Sequence, residues 1–288
     1  MATKNIPANA ISKVEVLRNY SEVSQLSGVT NNQDNVAINI KLKEGKERFW
    51  FGEITAGKGL EDTFLAHPKV FYYSPKFSVN LITDVNNIGE LPFTPRDFFN
   101  FTGGMTNFSR AGGTQFNATN NSLGISLLQN NRAKAIDTKF GAANFNYAAT
   151  PALDLSGFAI YSYTGTLLET ITARQFIVSN QMEQSTTNTN QKASLGLGKF
   201  SARYKPSSQL QWDYDVLLKQ SSQEEERMLS SRALVNEDIV ENNTQDPITI
   251  TQNTGLYYTL SDAHIFAFQG QHMYQKEDPF YNAVRTQE

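Results

Sequence analysis

The chain of 288 residues contains no cysteine, so disulfide bonds, thiolate nucleophiles and cysteine-built metal sites are excluded. No apolar run approaches the roughly 18 residues that a membrane-spanning helix needs. Residues 1–10 show no apolar signal-peptide core. Charged residues make up only 18% of the chain and the formal net charge is -3, which leaves no basic field to hold a nucleic acid. These absences predict a soluble protein unless strands, rather than helices, cross a membrane.

What is present favours β-structure. Only 39% of the residues are hydrophobic, 11% are aromatic, and Asn, Gln, Ser and Thr are abundant. This composition is typical of β-proteins whose strands are wet on one face. The stretch 36–43 alternates strictly between apolar and other residues, which predicts a half-buried strand. The sequence therefore predicts an all-β fold.

Nine further strands are predicted after residue 46, at about 47–57, 68–74, 76–86, 138–148, 152–164, 192–205, 208–220, 248–261 and 263–275. The clearest alternation runs from Gln209 to Lys219. Its apolar set is Leu210, Trp212, Tyr214, Val216 and Leu218. At about 11 residues, these strands match the length that crosses a bilayer at a tilt. Strands of soluble sandwiches are usually nearer 5 or 6 residues.

The predicted connections alternate between short and long. Tight turns fall near 74–76, 149–151, 205–207 and 261–262, and long polar loops are predicted at 87–137, 165–191 and 221–247. This order places every tight turn at one end of the sheet and every long loop at the other. Outer-membrane barrels have short periplasmic turns and long outside loops. The pattern therefore predicts a transmembrane antiparallel β-barrel.

Several short segments resemble one family of such barrels. They are IPANAISKVEVL at 6–17, VAINIKLK at 36–43, FYYSPKF at 71–77, NNIG at 86–89, FTGG at 101–104 and DPFYN at 278–282. On these residues the chain resembles TonB-dependent outer-membrane receptors of the Bacteroidetes type. The resemblance implies that residues 1–46 are the later part of a plug domain. Residues 47–288 would then be the N-terminal part of the barrel.

The resemblance also implies a function and a location. It implies a receptor in the bacterial outer membrane that binds a small molecule, glycan or peptide at its outside face. Uptake would be driven by the TonB energy-transducing complex, whose binding segment is not in this chain. Receptors of this family close about 22 strands around a complete plug. The nine predicted strands therefore imply an internal piece of such a receptor, with two open sheet edges.

Candidate ligand-binding residues lie in the loop from Phe93 to Phe116. They are two arginines and three aromatic residues that the predicted topology places over the mouth of the barrel: Arg96, Phe98, Phe99, Phe101 and Arg110. Packing of these aromatics among themselves or on the plug is an equal alternative. The sequence shows no nucleophile with a base, metal cluster or phosphate cradle, so we expect no enzyme activity, catalytic residue, metal or cofactor.

Other polar residues were weighed for chemistry. Asp213 and Asp215 share a strand face about 7 Å apart, as a glycosidase pair can. Polar lining of a barrel interior is the favoured interpretation. His264 and His272 share a face but lie roughly 27 Å apart, too far to hold one metal ion. His67 is predicted to lie in a loop, and the run 224–226 of three glutamates at a solvated loop tip.

Two rival functions remain open at this level. One is a non-transporting outer-membrane barrel, in which residues 1–43 are a periplasmic tail. The other is a soluble extracellular β-sandwich that binds glycans. The sandwich predicts Trp212 and Tyr214 in a core between two sheets or at an exposed sugar site.

Overall fold

The computed structural model describes residues 11–18, 25, 36–43, 48–90, 133–178, 180–232, 236–261 and 263–287. Over these residues the chain is all-β, with no α-helix. Accordingly, no helix in the described part is long and apolar enough to span a membrane. The predicted all-β class is therefore confirmed. The candidate loop residues Arg96, Phe98, Phe99, Phe101 and Arg110 lie outside the described residues.

A small hairpin forms at the N-terminal end of the described chain. Strand β1 (Ile11–Arg18) pairs antiparallel with β2 (Val36–Leu42) as a separate two-stranded sheet. Glu15 on β1 lies 2.9 Å from the ammonium of Lys41 and 3.0 Å from that of Lys13. The alternation at 36–43 predicts β2, which is confirmed. Whether this hairpin belongs to a plug domain stays a prediction.

The remaining strands form one large antiparallel sheet. They are β3 (Phe49–Lys58), β4 (Phe64–Tyr73), β5 (Phe77–Asn86), β6 (Ala135–Thr150), β7 (Leu153–Phe176), β8 (Gln181–Tyr204), β9 (Leu210–Arg232), β10 (Glu237–Gln245), β11 (Ile248–Ser261), β12 (His264–Lys276) and β13 (Pro279–Gln287). The order is β12-β11-β9-β8-β7-β6-β5-β4-β3, with β10 between β9 and β13. Each of the nine predicted strands overlaps one observed strand.

Two pairs of short strands act as single long ones. β10 and β11 both pair with β9, and their register on β9 is unchanged across residues 246–247. The same holds for β13 and β12, which continue along β10 and β11 across residues 277–278. Prolines Pro247 and Pro279 stand at these breaks, where their missing N–H removes a ladder bond. Counted this way, the large sheet consists of nine long strands.

The turns sort the sheet into two ends. Four connections, at 74–76, 151–152, 205–209 and 262–263, lie at one end, which we call rim A. At the opposite end, rim B, strands β3, β5, β7 and β9 end and strands β4, β6, β8 and β10 begin. The four predicted tight turns share rim A. The predicted sorting of short turns to one rim and long loops to the other is wrong, because β7 and β8 are joined at rim B by only four residues, and so are β9 and β10. The side chain of Gln25 reaches rim A, where its amide donates to the carbonyl of Ser208 at 3.3 Å.

Two of the three predicted long loops are wrong. Residues 165–176 and 181–191 continue β7 and β8 as paired strands, and residues 221–232 and 237–245 continue β9 and β10. The prediction failed because both faces are polar there, as in the run QSTTNTNQ at 184–191, so the period-2 signal disappears. Where long loops were predicted, β7, β8 and β9 instead extend to rim B as strands of 23 or 24 residues.

Alternation gives the sheet two unlike faces. In β9, Gln211, Asp213 and Asp215 are buried, whereas Trp212 is 47% exposed and Leu218 is 41% exposed. Paired residues of neighbouring strands share a face, so the register carries this division across the sheet. We call the side of Asp213 the buried face and the side of Trp212 the exposed face. No second sheet packs on Trp212 among the described residues, as a sandwich would require.

Candidate functional site

An apolar band covers the exposed face from rim A upwards. Its large side chains are open to solvent on nine strands and include Trp50, Val70, Leu81, Tyr147, Tyr161, Phe200, Trp212, Leu218, Leu256, Tyr258, Phe266 and Phe268. Soluble monomers rarely expose contiguous apolar patches beyond a few hundred Å². A surface of this kind needs an apolar covering.

The band is free of acidic and strongly basic side chains. On β7 the exposed-face positions from Leu153 to Leu167 contain none, and on β9 none occurs from Leu210 to Ser222. On β6, β8 and β12 the first ionic side chain of this face is a lysine, eleven or twelve residues from rim A, and on β3 it is Lys58, nine residues from Phe49. A span of 12 residues is about 40 Å along a strand, or roughly 30 Å high at a tilt near 40°. That height suits a bilayer.

Aromatic rings gather on the exposed face close to rim A. Trp50 and Tyr72 have ring centroids 4.5 Å apart, Tyr72 and Phe77 6.1 Å, and Phe77 and Tyr147 6.2 Å, which forms a row across β3 to β6. Trp212 continues it on β9, and its indole N–H donates to the hydroxyl of Thr254 at 2.8 Å. Amphipathic rings of this kind form the girdles at the edges of barrels in membranes.

Charged side chains are instead paired on the buried face near rim A. Asp213 accepts hydrogen bonds from Arg203 Nε at 3.3 Å and from Gln211 Nε2 at 2.9 Å. Asp215 lies 3.7 Å from Lys199 Nζ and accepts a hydrogen bond from the Ser201 hydroxyl. Each carboxylate thus faces a cation on β8. This arrangement agrees with a polar lining rather than with two carboxyls left open to a sugar.

A cavity of about 280 Å³ opens beside these pairs at rim A. Its lining is mostly polar and includes Lys76, Ser78, Asn146, Asp154, Ser156 and Arg203. The register aligns Ser78, Asn146 and Ser156 across β5, β6 and β7 on the buried face. The cavity belongs to the same lining and is slightly smaller than ordinary small-molecule sites.

The buried face is not uniformly polar, contrary to the expectation of a polar lining. Seven buried side chains form an apolar cluster across β4 to β8: Phe71, Ile82, Phe140, Ala142, Phe158, Ile160 and Leu197. Phe71 stacks on Phe51 with centroids 4.8 Å apart. The sequence hid this cluster because glycine and alanine at exposed-face positions such as Gly141 and Ala159 weaken the contrast between faces. The cluster gives the sheet a conventional core beside its polar lining.

His67 does not lie in a loop, which corrects the sequence prediction. It is in β4, and its Nδ1 lies 2.7 Å from Asp84 Oδ2 on β5. Asp84 and Asn86 are almost fully buried, and Asn86 Nδ2 donates to Asp84 Oδ1 at 2.6 Å. The side-chain oxygen Oδ1 of Asn86 in turn accepts hydrogen bonds from the backbone N–H groups of Ile88 and Glu90. These bonds fix the chain as it leaves β5.

Two other candidates also take definite positions. His264 and His272 lie on the exposed face of β12, so their predicted common face is confirmed. The glutamate run does not form a loop tip, because residues 224–226 lie within β9. Glu224 lies 4.0 Å from Lys192 on the exposed face, while Glu225 accepts from Gln191 at 3.4 Å on the buried face. No group of acidic or histidine residues in the described chain is arranged to hold a metal ion.

Ion pairs stabilise the strand extensions towards rim B. Arg232 Nη1 lies 2.8 Å from Asp238 Oδ1 across the β9–β10 hairpin, and this guanidinium holds the pKa of Asp238 below its usual value. Arg227 lies 3.3 Å from Glu241 on the other face.

In the β1–β2 hairpin, the ammonium groups of Lys41 and then Lys13 lower the pKa of Glu15 to about 2.

Comparisons with known proteins give little guidance. No protein-family model matches the chain, and no curated protein matches it. A solved structure described as the CymD monoaromatic hydrocarbon channel is 12% identical and has a TM-score of 0.19. That alignment covers 94% of this chain and 84% of the channel chain. A TM-score this low does not establish a shared fold.

Proposed function

We propose that this chain forms part of the wall of a bacterial outer-membrane β-barrel that acts as a transporter. The observation that supports this most strongly is the inversion of its two faces. Apolar and aromatic side chains are exposed in a band free of ionic charge, while the ion pairs of Asp213 and Asp215 are buried behind it. A barrel in a membrane needs this arrangement, since lipid covers its outside and water or a plug fills its inside.

The strand directions support a wall that further strands complete. The order ends at β3 on one side and β12 on the other, and the described residues contain no pairing between them. Neighbouring strands of this sheet are antiparallel, so the first and the ninth long strand point in the same direction. Both edge strands therefore run from rim A to rim B. Direct closure would therefore be parallel, whereas these barrels are antiparallel throughout and tolerate no open edge in lipid. An odd number of additional strands is required to close it.

The finer proposal is TonB-dependent uptake, and it rests on the sequence resemblance. In this proposal residues 1–46 belong to a plug at rim A, which would face the periplasm. The contact of Gln25 with Ser208 at rim A supports that position. Ligand would bind at rim B, with Arg96, Phe98, Phe99, Phe101 and Arg110 as candidates. The protein would bind and transport without a bond-making step.

Fractionation tests the proposed location. The chain, expressed in a Gram-negative host, should sediment with the outer membrane and resist extraction by salt. Recovery as a salt-extractable, soluble monomer would contradict the proposal and favour the glycan-binding sandwich.

Removal of residues 1–46 tests the plug. A plugged transporter should become leaky without them, so cells should become sensitive to a large antibiotic that the outer membrane excludes. Unchanged resistance, with the truncated chain still in the membrane, would favour the non-transporting barrel.

A further inference from the structure

Three lysines of the exposed face stand eleven or twelve residues from rim A, and a fourth, Lys58 on β3, stands nine residues from Phe49. On β6, Lys139 is eleven residues from Thr150, and on β8, Lys192 is twelve residues from Tyr204. On β12, Lys276 is twelve residues from His264. Each is the first ionic side chain that its strand presents on the exposed face, counted from rim A. We call Lys139, Lys192 and Lys276 the lysine belt.

Carboxylates stand level with or beyond the belt, never below it on these strands. Lys139 pairs with Asp137 at 3.3 Å, and Lys276 with Asp278 at 3.2 Å, each acid two residues farther from rim A. Lys192 lies 4.0 Å from Glu224, which is the first acid on the exposed face of β9 and lies fourteen residues above Leu210. On β6, β8 and β12 a lysine is therefore the first charged side chain above the apolar band, and the acids that pair with the lysines of β6 and β12 lie farther from rim A.

The belt lysines retain capacity for a further anion. Their side chains are 54%, 52% and 58% exposed, for Lys139, Lys192 and Lys276 respectively. An ammonium has three donors, and each of these has one carboxylate partner among the described residues. The ammonium of Lys139 also lies 5.1 Å from the ring centre of Tyr163, whose body lies towards the band. Long stems of this kind let lysine lie along apolar surface with its charge at the lipid boundary.

We infer that the lysine belt binds the phosphate groups of anionic lipids in the leaflet at rim B. The inference rests on the proposed membrane-spanning band, because only then do headgroups lie at this height. A bilayer that begins at the aromatic row near rim A ends roughly 30 Å higher, where the three ammonium groups stand. Phosphates there complement the lysines, whereas a neutral headgroup does not.

Vesicle partitioning tests the inference on the full chain. We would measure the binding of the parent chain and of the triple variant K139Q/K192Q/K276Q to phosphatidylcholine vesicles, with and without phosphatidic acid. A lysine near an anionic surface contributes about fivefold to binding. Because a neighbouring carboxylate partly neutralises each belt lysine, we expect the preference for phosphatidic acid to be on the order of tenfold weaker in the triple variant than in the parent chain.

Two matched variants control for charge and for folding. The triple variant R48Q/K76Q/K205Q removes three cations at rim A and should keep the preference for phosphatidic acid. The variant K139R/K192R/K276R keeps the belt charge and should also retain it. Equal binding of the parent chain to both vesicles, or an equal loss in the rim A variant, would overturn the belt while leaving insertion intact. Failure of the parent chain to enter phosphatidylcholine vesicles would instead contradict the proposed membrane wall.

Discussion

Substitution of Leu218 by lysine should separate a lipid-facing sheet from a soluble one. Leu218 is 41% exposed on β9, eight residues from Leu210 and six from Glu224, near the middle of the charge-free part of that strand. Complete burial of a leucine contributes about 1.5–3 kcal/mol, so lipid contact over 41% of this side chain is worth about 1 kcal/mol. A lysine near the bilayer midplane costs a barrel about 2–4 kcal/mol in all.

Met228 provides the matched control for this substitution. It lies on the same strand and the same face, is 50% exposed, and stands beyond Glu224, outside the apolar band. Lysine there should change the free energy of unfolding by less than about 0.5 kcal/mol. Urea unfolding of both variants in phospholipid vesicles measures the difference. Equal effects of L218K and M228K would refute a lipid-facing band, since a water-covered face treats both positions alike.

Three further predictions concern the polar groups. D215N should destabilise the chain by about 3 kcal/mol, because it replaces a buried carboxylate that lies 3.7 Å from the Lys199 ammonium with a neutral amide. E169Q, at the exposed pair with Lys134, should cost less than about 1 kcal/mol in the same unfolding assay, and equal costs would contradict the burial argument. H67L should cost about 1–3 kcal/mol by removing a partner of buried Asp84, whereas H272L on the exposed face should cost far less. The pKa of Glu15 is about 2 in the hairpin, below its ordinary 4.5, so its stabilising effect is complete above pH 4.5 and lost as the pH falls towards 2. Hydrogen exchange of the β1–β2 amides should accelerate over that interval in the parent chain but not in E15Q; parallel profiles would contradict it.

Much of the sheet could be predicted because its apolar alternation is strong near rim A. From Gln209 to Lys219 aromatic or aliphatic residues alternate with polar or charged ones, broken only by Leu217, and the structure places the two sets on opposite faces. Proline and serine at 74–76 and 205–207 marked the reversals that form rim A. Local chemistry was sufficient there.

The extensions towards rim B were missed because their stability comes from pairing rather than from alternation. Between 184 and 191 the sequence has no apolar face, and the strand is held by its ladders to β7 and β9. The His67–Asp84 contact was missed for a related reason. A lone histidine before Pro68 indicates a turn in isolation, and its partner on β5 became visible only when the register was known.

The absence of native cysteine allows one measurement to test the lipid-facing band directly. Single cysteines are introduced at exposed-face positions of β9, namely Tyr214, Val216, Leu218, Met228 and Ser230. Intact outer membranes are then treated with a water-soluble maleimide. We predict protection at Tyr214, Val216 and Leu218 and rapid labelling at Met228 and Ser230, with the change near Glu224. Rapid labelling at all of these positions would contradict the claim that lipid covers this face.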